Sequence, residues 1–196
     1  MSLLDISPVV PVVVIDDAAT AVPTAEALLR GGIGIIEVTL RTPAALPAIE
    51  RIAAEVPGIV VGAGTVITPE LAAASARAGA RFLVSPGSTD RVLDAAAATG
   101  LPTLPGAATV SEAMLLAERG YAELKFFPAE AAGGVPYLKS IAGPLPDLRF
   151  CPTGGISAAT APTYLALPNV GCVGGSWLTA DPDRVEALAK EAAALR

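Results

Sequence analysis

The sequence contains no histidine, and this absence removes several kinds of chemistry. A Ser-His-Asp triad, a His-ligated zinc site, a haem with a proximal His and an imidazole general base all require the missing residue. Any acid–base or nucleophilic catalysis near neutral pH must therefore come from Lys, Glu, Asp, Ser, Thr, Tyr or Cys.

Cationic and aromatic residues are also scarce. The chain has 13 Lys and Arg against 19 Asp and Glu, a net charge of −6, whereas nucleic-acid binders carry a basic excess. Aromatic residues make up 4% and apolar residues 53% of the chain. We therefore expect no nucleic-acid partner, and a globular protein whose small-residue helix faces pack closely against a sheet.

The only two cysteines, Cys151 and Cys172, lie in apolar runs without CxxC spacing. This usage predicts buried thiols in a reducing compartment rather than a disulfide or a metal pair. The first residues lack the basic region and apolar core of a signal peptide. No apolar stretch reaches the ~18 residues of a membrane span without interruption. We expect a cytoplasmic protein with no membrane partner.

Short apolar runs rich in Val, Ile and Phe alternate with amphipathic segments. Because each run is continuous, it is typical of a strand buried on both faces of a parallel sheet. The predicted strands are Val9–Ile15, Ile35–Leu40, Ile59–Val66, Phe82–Ser85, Pro102–Pro105, Leu124–Phe127, Leu148–Cys151 and Gly171–Val173.

The intervening segments carry helix signals. They include Ala18–Arg30, Pro69–Ala78, Thr89–Thr99 and Val110–Arg119. Thr68 and Thr109 are candidate N-caps. Gly31, Gly79, Gly100 and Gly120 are expected to end four of these helices as left-handed C′ glycines.

Eight strands in alternation with eight helices predict one (β/α)8 TIM barrel domain over residues 1–196, shorter than the roughly 250 residues typical of that fold. A doubly wound open sheet is the alternative. In a barrel, the active site forms where the strands end at the carboxyl face. The polar residues at those ends are therefore candidate site residues.

Lys125 lies in a predicted strand between bulky apolar side chains. Partial desolvation there raises the fraction of free amine, which is the form that attacks a ketone to make a Schiff base. The alternative is a lysine on the outer side of the strand, extended between helices or paired with a carboxylate.

Glu37 and Arg41 lie four residues apart, so both face one side of a strand that stays extended. Glu37 then suits a general acid and base, and Arg41 a bidentate clamp on a carboxylate. A mutual salt bridge at the strand end is the alternative.

Two glycine clusters, 153–157 and 174–176, end the last two predicted strands. Exposed backbone N–H groups in such turns form anion nests, and the loops after strands seven and eight of barrels are frequent phosphate sites. Tight turns alone are the alternative. Neither cluster is a Walker motif, and no GxGxxG follows the first strand, so no nucleotide cofactor is expected. The segment Gly62–Thr65, at the end of the third predicted strand, consists of small residues, so it leaves space at the site and contributes one hydroxyl, that of Thr65.

Seven stretches together carry a resemblance to a known family. They are Val9–Val12, Glu37–Thr42, Val61–Val66, Val84–Gly87, Lys125–Glu130, Phe150–Ile156 and Gly174–Trp177. In their order and spacing the chain resembles the 2-keto-3-deoxy-6-phosphogluconate (KDPG) aldolase family. These are bacterial class I aldolases that also act on 4-hydroxy-2-oxoglutarate (KHG).

The resemblance implies a role for each site residue. Lys125 would form the Schiff base and Glu37 would carry protons. Arg41 and Thr65 would hold the carboxylate of the pyruvyl part. The remaining residues would border the pocket (Phe127, Thr153 and Pro86) or cradle the substrate phosphate (Gly154, Gly155, Gly175 and Ser176). The family is usually a homotrimer and uses no metal, so we expect no metal and no cofactor.

The activity implied is cleavage of 2-dehydro-3-deoxy-6-phosphogluconate to pyruvate and glyceraldehyde 3-phosphate, in the Entner–Doudoroff pathway. Cleavage of 4-hydroxy-2-oxoglutarate to pyruvate and glyoxylate would be a side activity. The alternatives are an aldolase for the galacto epimer, an aldolase for non-phosphorylated 4-hydroxy-2-oxo acids, and a non-catalytic barrel that binds phospho-sugars.

Overall fold

A computed structural model describes residues 2–195 and centres on a parallel sheet. The strands are β1 (Val9–Val13), β2 (Ile35–Thr39), β3 (Val60–Gly64), β4 (Leu83–Val84), β5 (Thr103–Leu104), β6 (Gly106–Ala107), β7 (Glu123–Phe126), β8 (Arg149–Pro152) and β9 (Val173–Gly175). The helices are α1 (Ala21–Arg30), α2 (Ala45–Glu55), α3 (Pro69–Arg77), α4 (Asp90–Ala98), α5 (Val110–Glu118), α6 (Gly134–Ile141), α7 (Ala161–Leu165) and α8 (Val185–Ala193). Short 3-10 helices cover Leu3–Asp5, Ala18–Thr20, Trp177–Thr179 and Pro182–Arg184.

The predicted alternation of strands and helices is confirmed, with one break. The fifth predicted strand, Pro102–Pro105, contains β5, and a second short strand, β6, follows just beyond its predicted end. Pro105 separates the two because proline has no N–H to donate to a ladder. β5 pairs with β4 on one side of the break, and β6 pairs with β7 on the other. If β5 and β6 are taken as one interrupted strand, eight βα units follow each other.

Every strand pair is parallel, and the sheet is curled. The order is β5-β4-β3-β2-β1-β9 in one part and β6-β7-β8 in the other. The first and last strands are neighbours, with Val9 opposite Val173, and single bridges link Phe150 to Val170 and Thr153 to Gly174. A doubly wound sheet reverses its strand order near the middle. The observed order follows the chain from β1 to β5, so the doubly wound alternative is wrong.

The two faces of the curled sheet bury different sets of side chains. Its convex face packs on the helices through residues such as Ile36, Val38, Leu124 and Phe126. Its concave face holds an inner cluster, which consists of Leu3, Leu4, Val10, Ile35, Phe82, Val84, Leu104, Cys151 and Cys172. Burial on both faces explains why the strands have continuous apolar runs. Both cysteines are buried thiols, as predicted.

Side-chain caps begin the helices that follow both candidate N-caps. The hydroxyl of Thr68 accepts the N–H of Leu71 at 3.3 Å, and Thr109 forms a reciprocal capping box with Glu112. Both predicted N-caps are confirmed. Within residues 2–195, every helix is too short or too polar to cross a bilayer.

Three of the four predicted C-terminal glycines are confirmed. Gly79, Gly100 and Gly120 have left-handed φ values of 87°, 71° and 88°. Gly31 does end α1, directly after Arg30, but it is not the left-handed residue: its φ is −77°, and Gly32 takes the left-handed conformation. Gly31 instead allows α1 to approach α8, because a Cβ there would overlap the side chain of Ala189.

Candidate active site

Lys125 and Glu37 meet inside the curled sheet. Side chains alternate between the two faces of a strand, so Lys125 faces inward between the helix-facing Leu124 and Phe126. Its Nζ lies 3.2 Å from Glu37 Oε1, and the two side chains are 6% and 3% exposed. A buried amine within hydrogen-bond distance of a buried carboxylate is a geometry for proton transfer.

This contact decides between the interpretations that the sequence left open. Lys125 is not on the outer side of β7, since it lies opposite Cys151 of the inner cluster. Glu37 forms its ion pair with Lys125, which is 88 residues away in sequence, and not with Arg41. The alternative of a Glu37–Arg41 salt bridge is therefore wrong.

Small residues in β3 make room for this pair. A Cβ on Gly64 would overlap Oε1 of Glu37 and lie 2.6 Å from its Cγ and 2.7 Å from its Cδ. A Cβ on Gly62 would in the same way overlap the ring of Phe82, which belongs to the inner cluster. The space that the sequence indicated at Gly62–Thr65 is thus occupied by these two side chains.

Phe127 and the loop after β4 flank the lysine. The ring centroid of Phe127 lies 5.5 Å from Lys125 Nζ. Gly106 is opposite Lys125 in register, and a Cβ on Gly106 would overlap the backbone carbonyl of Pro86. Pro86 therefore packs against the strand segment beside Lys125.

Arg41 and Thr65 come together at the ends of β2 and β3. The Arg41 guanidinium donates from Nε to Thr65 Oγ1 at 3.4 Å. Thr65 has a φ of 61° and is the single non-glycine residue with positive φ between residues 2 and 195. A β-branched residue in this region stores strain of about 1–3 kcal/mol, and such residues cluster at functional sites. The predicted pair is in contact.

A cavity of about 410 Å³ opens at the carboxyl ends of the strands. Predicted site residues supply most of its wall: Arg41, Phe127, Thr153, Gly154, Gly155, Gly175 and Ser176. The remaining wall is Val12, Val14, Ile156 and Gly174. Lys125, Glu37, Thr65 and Pro86 are predicted site residues that do not line this cavity. Lys125 Nζ is 5.5 Å from the ring of Phe127, and Thr65 contacts Arg41, so two of the four adjoin residues of the wall.

The glycines of the cavity wall are required by their conformation or their neighbours. Gly154 and Gly155 have φ values of 104° and 81°. Between residues 2 and 195, the N–H of Gly155 donates to no protein acceptor. A Cβ on Gly175 would overlap the ring of Trp177. Unpaired N–H groups in a left-handed turn make an anion nest.

A larger cavity, about 490 Å³, lies at the opposite end of the sheet, beside the first residues of β5 and β7. Leu3 of the inner cluster lines it, and none of the predicted site residues does. Since the active sites of βα barrels form at the carboxyl ends of the strands, the smaller cavity is the candidate site.

Sequence reasoning missed two groups of residues near this cavity. Val12 and Val14 share the inward parity of Val10, and that parity is the signal that would have placed them in the wall. Glu130 and Tyr164 form a hydrogen bond behind Gly155, and 34 residues separate them, so no local pattern indicates it. Among residues 2–195, no group of three or more Cys, Asp and Glu is placed to hold a metal ion.

Similarity to known proteins extends over the chain. A family model described as "Aldolase: KDPG and KHG aldolase" matches residues 1–190. A KHG/KDPG aldolase of Escherichia coli K12 is 52% identical over 198 residues, which cover 97% of this chain and 93% of that protein.

Solved structures agree with the sequence comparison. The 2-keto-3-deoxy-6-phosphogluconate aldolase of Zymomonas mobilis superposes with a TM-score of 0.95 at 49% identity, covering 98% of this chain and 95% of that one. The KDPG aldolase of Legionella pneumophila, with pyruvate captured at low pH as a covalent carbinolamine, gives 0.93 at 46% identity, with coverages of 98% and 95%. The chain therefore belongs to the KDPG and KHG aldolase family.

Proposed function

We propose that this protein is a class I aldolase that cleaves 2-dehydro-3-deoxy-6-phosphogluconate to pyruvate and glyceraldehyde 3-phosphate. The observation that carries the proposal is a buried primary amine, Lys125 Nζ, 3.2 Å from the buried Glu37 carboxylate. The carbinolamine of the Legionella pneumophila relative supports covalent chemistry with a keto acid. Lys125 and Glu37, together with water, account for every step.

The first half of the reaction activates the ketone. Glu37 takes a proton from Lys125, and the free amine attacks C2 of the substrate to give a carbinolamine. Glu37 then protonates the leaving hydroxyl, water departs, and a positively charged iminium forms. The iminium nitrogen accepts the electrons of the bond that breaks next.

In the second half, Glu37 takes the proton of the C4 hydroxyl, directly or through a water molecule. The C3–C4 bond breaks, its electron pair moves toward the iminium, and glyceraldehyde 3-phosphate leaves. Glu37 gives this proton to C3 of the resulting enamine, and water hydrolyses the iminium to pyruvate, which returns Lys125 to the free amine. One difficult cleavage is thus divided into easier steps.

The two anionic ends of the substrate would bind at opposite sides of the lysine. Arg41, with Thr65 beside it at 3.4 Å, would hold the carboxylate of the pyruvyl part. The nest of Gly154 and Gly155, with Gly175 and Ser176 across the cavity, would hold the phosphate. Phe127, Pro86 and Thr153 would border the carbon chain.

We infer that the two parts of the sheet close into one (β/α)8 barrel domain. Three contacts support closure. β9 pairs with β1, the Thr153–Gly174 bridge joins the ends of β8 and β9, and β5 continues into β6 through Pro105.

The assembly and location are also proposals. A homotrimer follows from the family resemblance, and Ile67, Met114 and Leu115 are large exposed apolar side chains that subunit contacts could cover. Buried cysteine thiols support a cytoplasmic location. Light scattering at several concentrations measures the assembly, and a stable monomer would contradict it.

Turnover of matched substrates tests the proposed activity. We expect kcat/KM to be highest for the phosphorylated gluco-configured substrate, with slower cleavage of 4-hydroxy-2-oxoglutarate to pyruvate and glyoxylate. Equal kcat/KM with and without phosphate would favour an aldolase for non-phosphorylated acids, and preference for the galacto epimer would reassign the substrate. If Lys125→Ala retained the full rate, the Schiff-base mechanism would be wrong. No turnover at all would favour a non-catalytic barrel that binds phospho-sugars.

A further inference from the structure

A buried phenol and a carboxylate lie directly behind the proposed phosphate nest, and the mechanism above uses neither. The backbone N–H of Glu130 donates to the carbonyl of Gly154 at 3.1 Å. The Glu130 side chain then crosses Gly155, where a Cβ would lie 2.7 Å from its Cγ and 2.8 Å from its Cβ. The stem of an acidic side chain is therefore packed on a glycine of the nest.

The carboxyl group of Glu130 is turned toward α7. Tyr164 donates its phenolic hydroxyl to Glu130 Oε1 at 2.6 Å, and the Tyr164 side chain is 1% exposed. Burial, and then the hydrogen bond to Glu130, raise the pKa of Tyr164, so the phenol stays protonated and keeps donating at neutral pH. Gly134 adjoins the same pair, because a Cβ there would lie 3.0 Å from the Tyr164 hydroxyl.

A carboxylate without this restraint would compete with the substrate. The N–H of Gly155 has no protein acceptor among the described residues and lies in the left-handed turn of Gly154 and Gly155, so it attracts any anion within reach. Glu130 is tethered beside them and is exposed apart from its bond to Tyr164. Occupation of the nest by this side chain would both block and repel a phosphate.

We propose that Tyr164 is a positioning residue that holds the Glu130 carboxylate out of the nest, and so gives the site its preference for phosphorylated over non-phosphorylated substrates. The inference rests on the proposal that the nest of Gly154 and Gly155 binds the substrate phosphate. Tyr164 acts through Glu130 and touches neither the lysine nor the reacting carbons.

The test compares Tyr164→Phe, Glu130→Gln and the double variant. KM and kcat are measured with 2-dehydro-3-deoxy-6-phosphogluconate and with 4-hydroxy-2-oxoglutarate, and inorganic phosphate serves as a competitive inhibitor. Loss of a hydrogen bond to a charged group is expected to raise the KM for the phosphorylated substrate about tenfold, and the phosphate Ki in parallel. The kcat, and the KM for the non-phosphorylated acid, should not change in Tyr164→Phe.

Removal of the charge should reverse the defect. Because Gln in place of Glu130 carries no charge to bring into the nest, the double variant should return the KM for the phosphorylated substrate to within about twofold of the parent. Glu130→Gln alone should leave this KM at or below the parent value. Tyr121→Phe, which removes a phenolic hydroxyl at the opposite end of the sheet, is the matched control and should behave as the parent.

Two outcomes would overturn the inference. The Tyr164–Glu130 pair would have only a structural role if Tyr164→Phe raised the KM for both substrates equally. The same conclusion would follow if the double variant had the same KM for the phosphorylated substrate as Tyr164→Phe. Ser176→Ala separates this failure from failure of the phosphate site. If Ser176→Ala raises the KM for the phosphorylated substrate and Tyr164→Phe does not, only the role of Tyr164 is refuted. If neither variant has an effect and inorganic phosphate does not inhibit the parent competitively, the phosphate site is refuted as well. Thermal denaturation of each variant verifies the fold.

Discussion

Gly64→Ala adds one methyl group at the point where the site has no space for it. Gly64 ends β3 with ordinary strand geometry, so alanine fits the backbone and only the side chain matters. The new Cβ would overlap Oε1 of Glu37 and lie 2.6 Å and 2.7 Å from its Cγ and Cδ. Because backbone flanks Gly64, the Glu37 side chain is the part that must move. That movement separates it from Lys125, which is now 3.2 Å away.

The size of the effect follows from what is displaced. A positioned general acid and base contributes about 10²–10⁴-fold to a rate, so kcat should fall by a factor in that range. Extra volume in a packed interior costs about 1–3 kcal/mol of unfolding free energy. In a chain of this size, each kcal/mol lowers Tm by about 2–4 °C. The loss of rate is therefore expected to be far larger than the loss of stability.

Steady-state cleavage and thermal denaturation together measure these quantities. Glu37→Gln is the reference, since it removes the acid–base function without adding volume, and its kcat should fall in the same range. Gly143→Ala is the matched control, because a Cβ at Gly143 meets nothing within 4 Å. It should match the parent in rate and in Tm.

The reasoning fails if Gly64→Ala keeps the parent kcat while folded. That result would mean that the position of Glu37 against Lys125 does not govern proton transfer. A variant that loses stability by several kcal/mol and rate in equal proportion would point instead to general disruption of the sheet.

Two further predictions concern stability. Thr65→Asn should raise the free energy of unfolding, measured in urea, by about 1 kcal/mol, because asparagine tolerates the left-handed φ of 61° better than threonine. Its KM should rise, because the contact with Arg41 is lost. A less stable variant would contradict the claim that Thr65 is strained. Hydrogen bonds, first from the N–H of Ala108 and then from Thr109, lower the pKa of Glu112 at the start of α5. Its carboxylate therefore stabilises the fold at neutral pH, and the contribution is lost as the pH falls through the lowered pKa. Glu112→Gln should lower the free energy of unfolding by at most about 0.5 kcal/mol at pH 7, since solvent screens an exposed carboxylate. At acid pH the substitution should have no effect on stability, and a difference that does not depend on pH would contradict this prediction.

Periodicity and strand-end residues predicted most of the architecture, because burial on both faces of the sheet imposes continuous apolar runs. The same continuity hid which side chains face inward. It therefore gave no indication that Val12 and Val14 line the cavity. Proline and glycine explain the remaining differences. Pro105 splits a strand because it lacks an N–H, and Gly31 is required by the contact between α1 and α8 rather than by its own φ.

Residue types identified the candidate site, and the tertiary structure supplied its pairings. An isolated strand sequence does not tell whether Lys125 faces helices or the inner cluster. The contact with Glu37 spans 88 residues, and that of Tyr164 with Glu130 spans 34. Such pairs depend on register and curvature, which no local pattern encodes.

The formation of a covalent bond to Lys125 tests the central claim most directly. Borohydride reduction in the presence of pyruvate, followed by peptide mass mapping, fixes any imine where it forms. We predict a reduced pyruvyl adduct on Lys125, and none on Lys139 or Lys190, the other two lysines of the chain. An adduct on either of those residues, or no adduct on a protein that still cleaves its substrate, would contradict the mechanism.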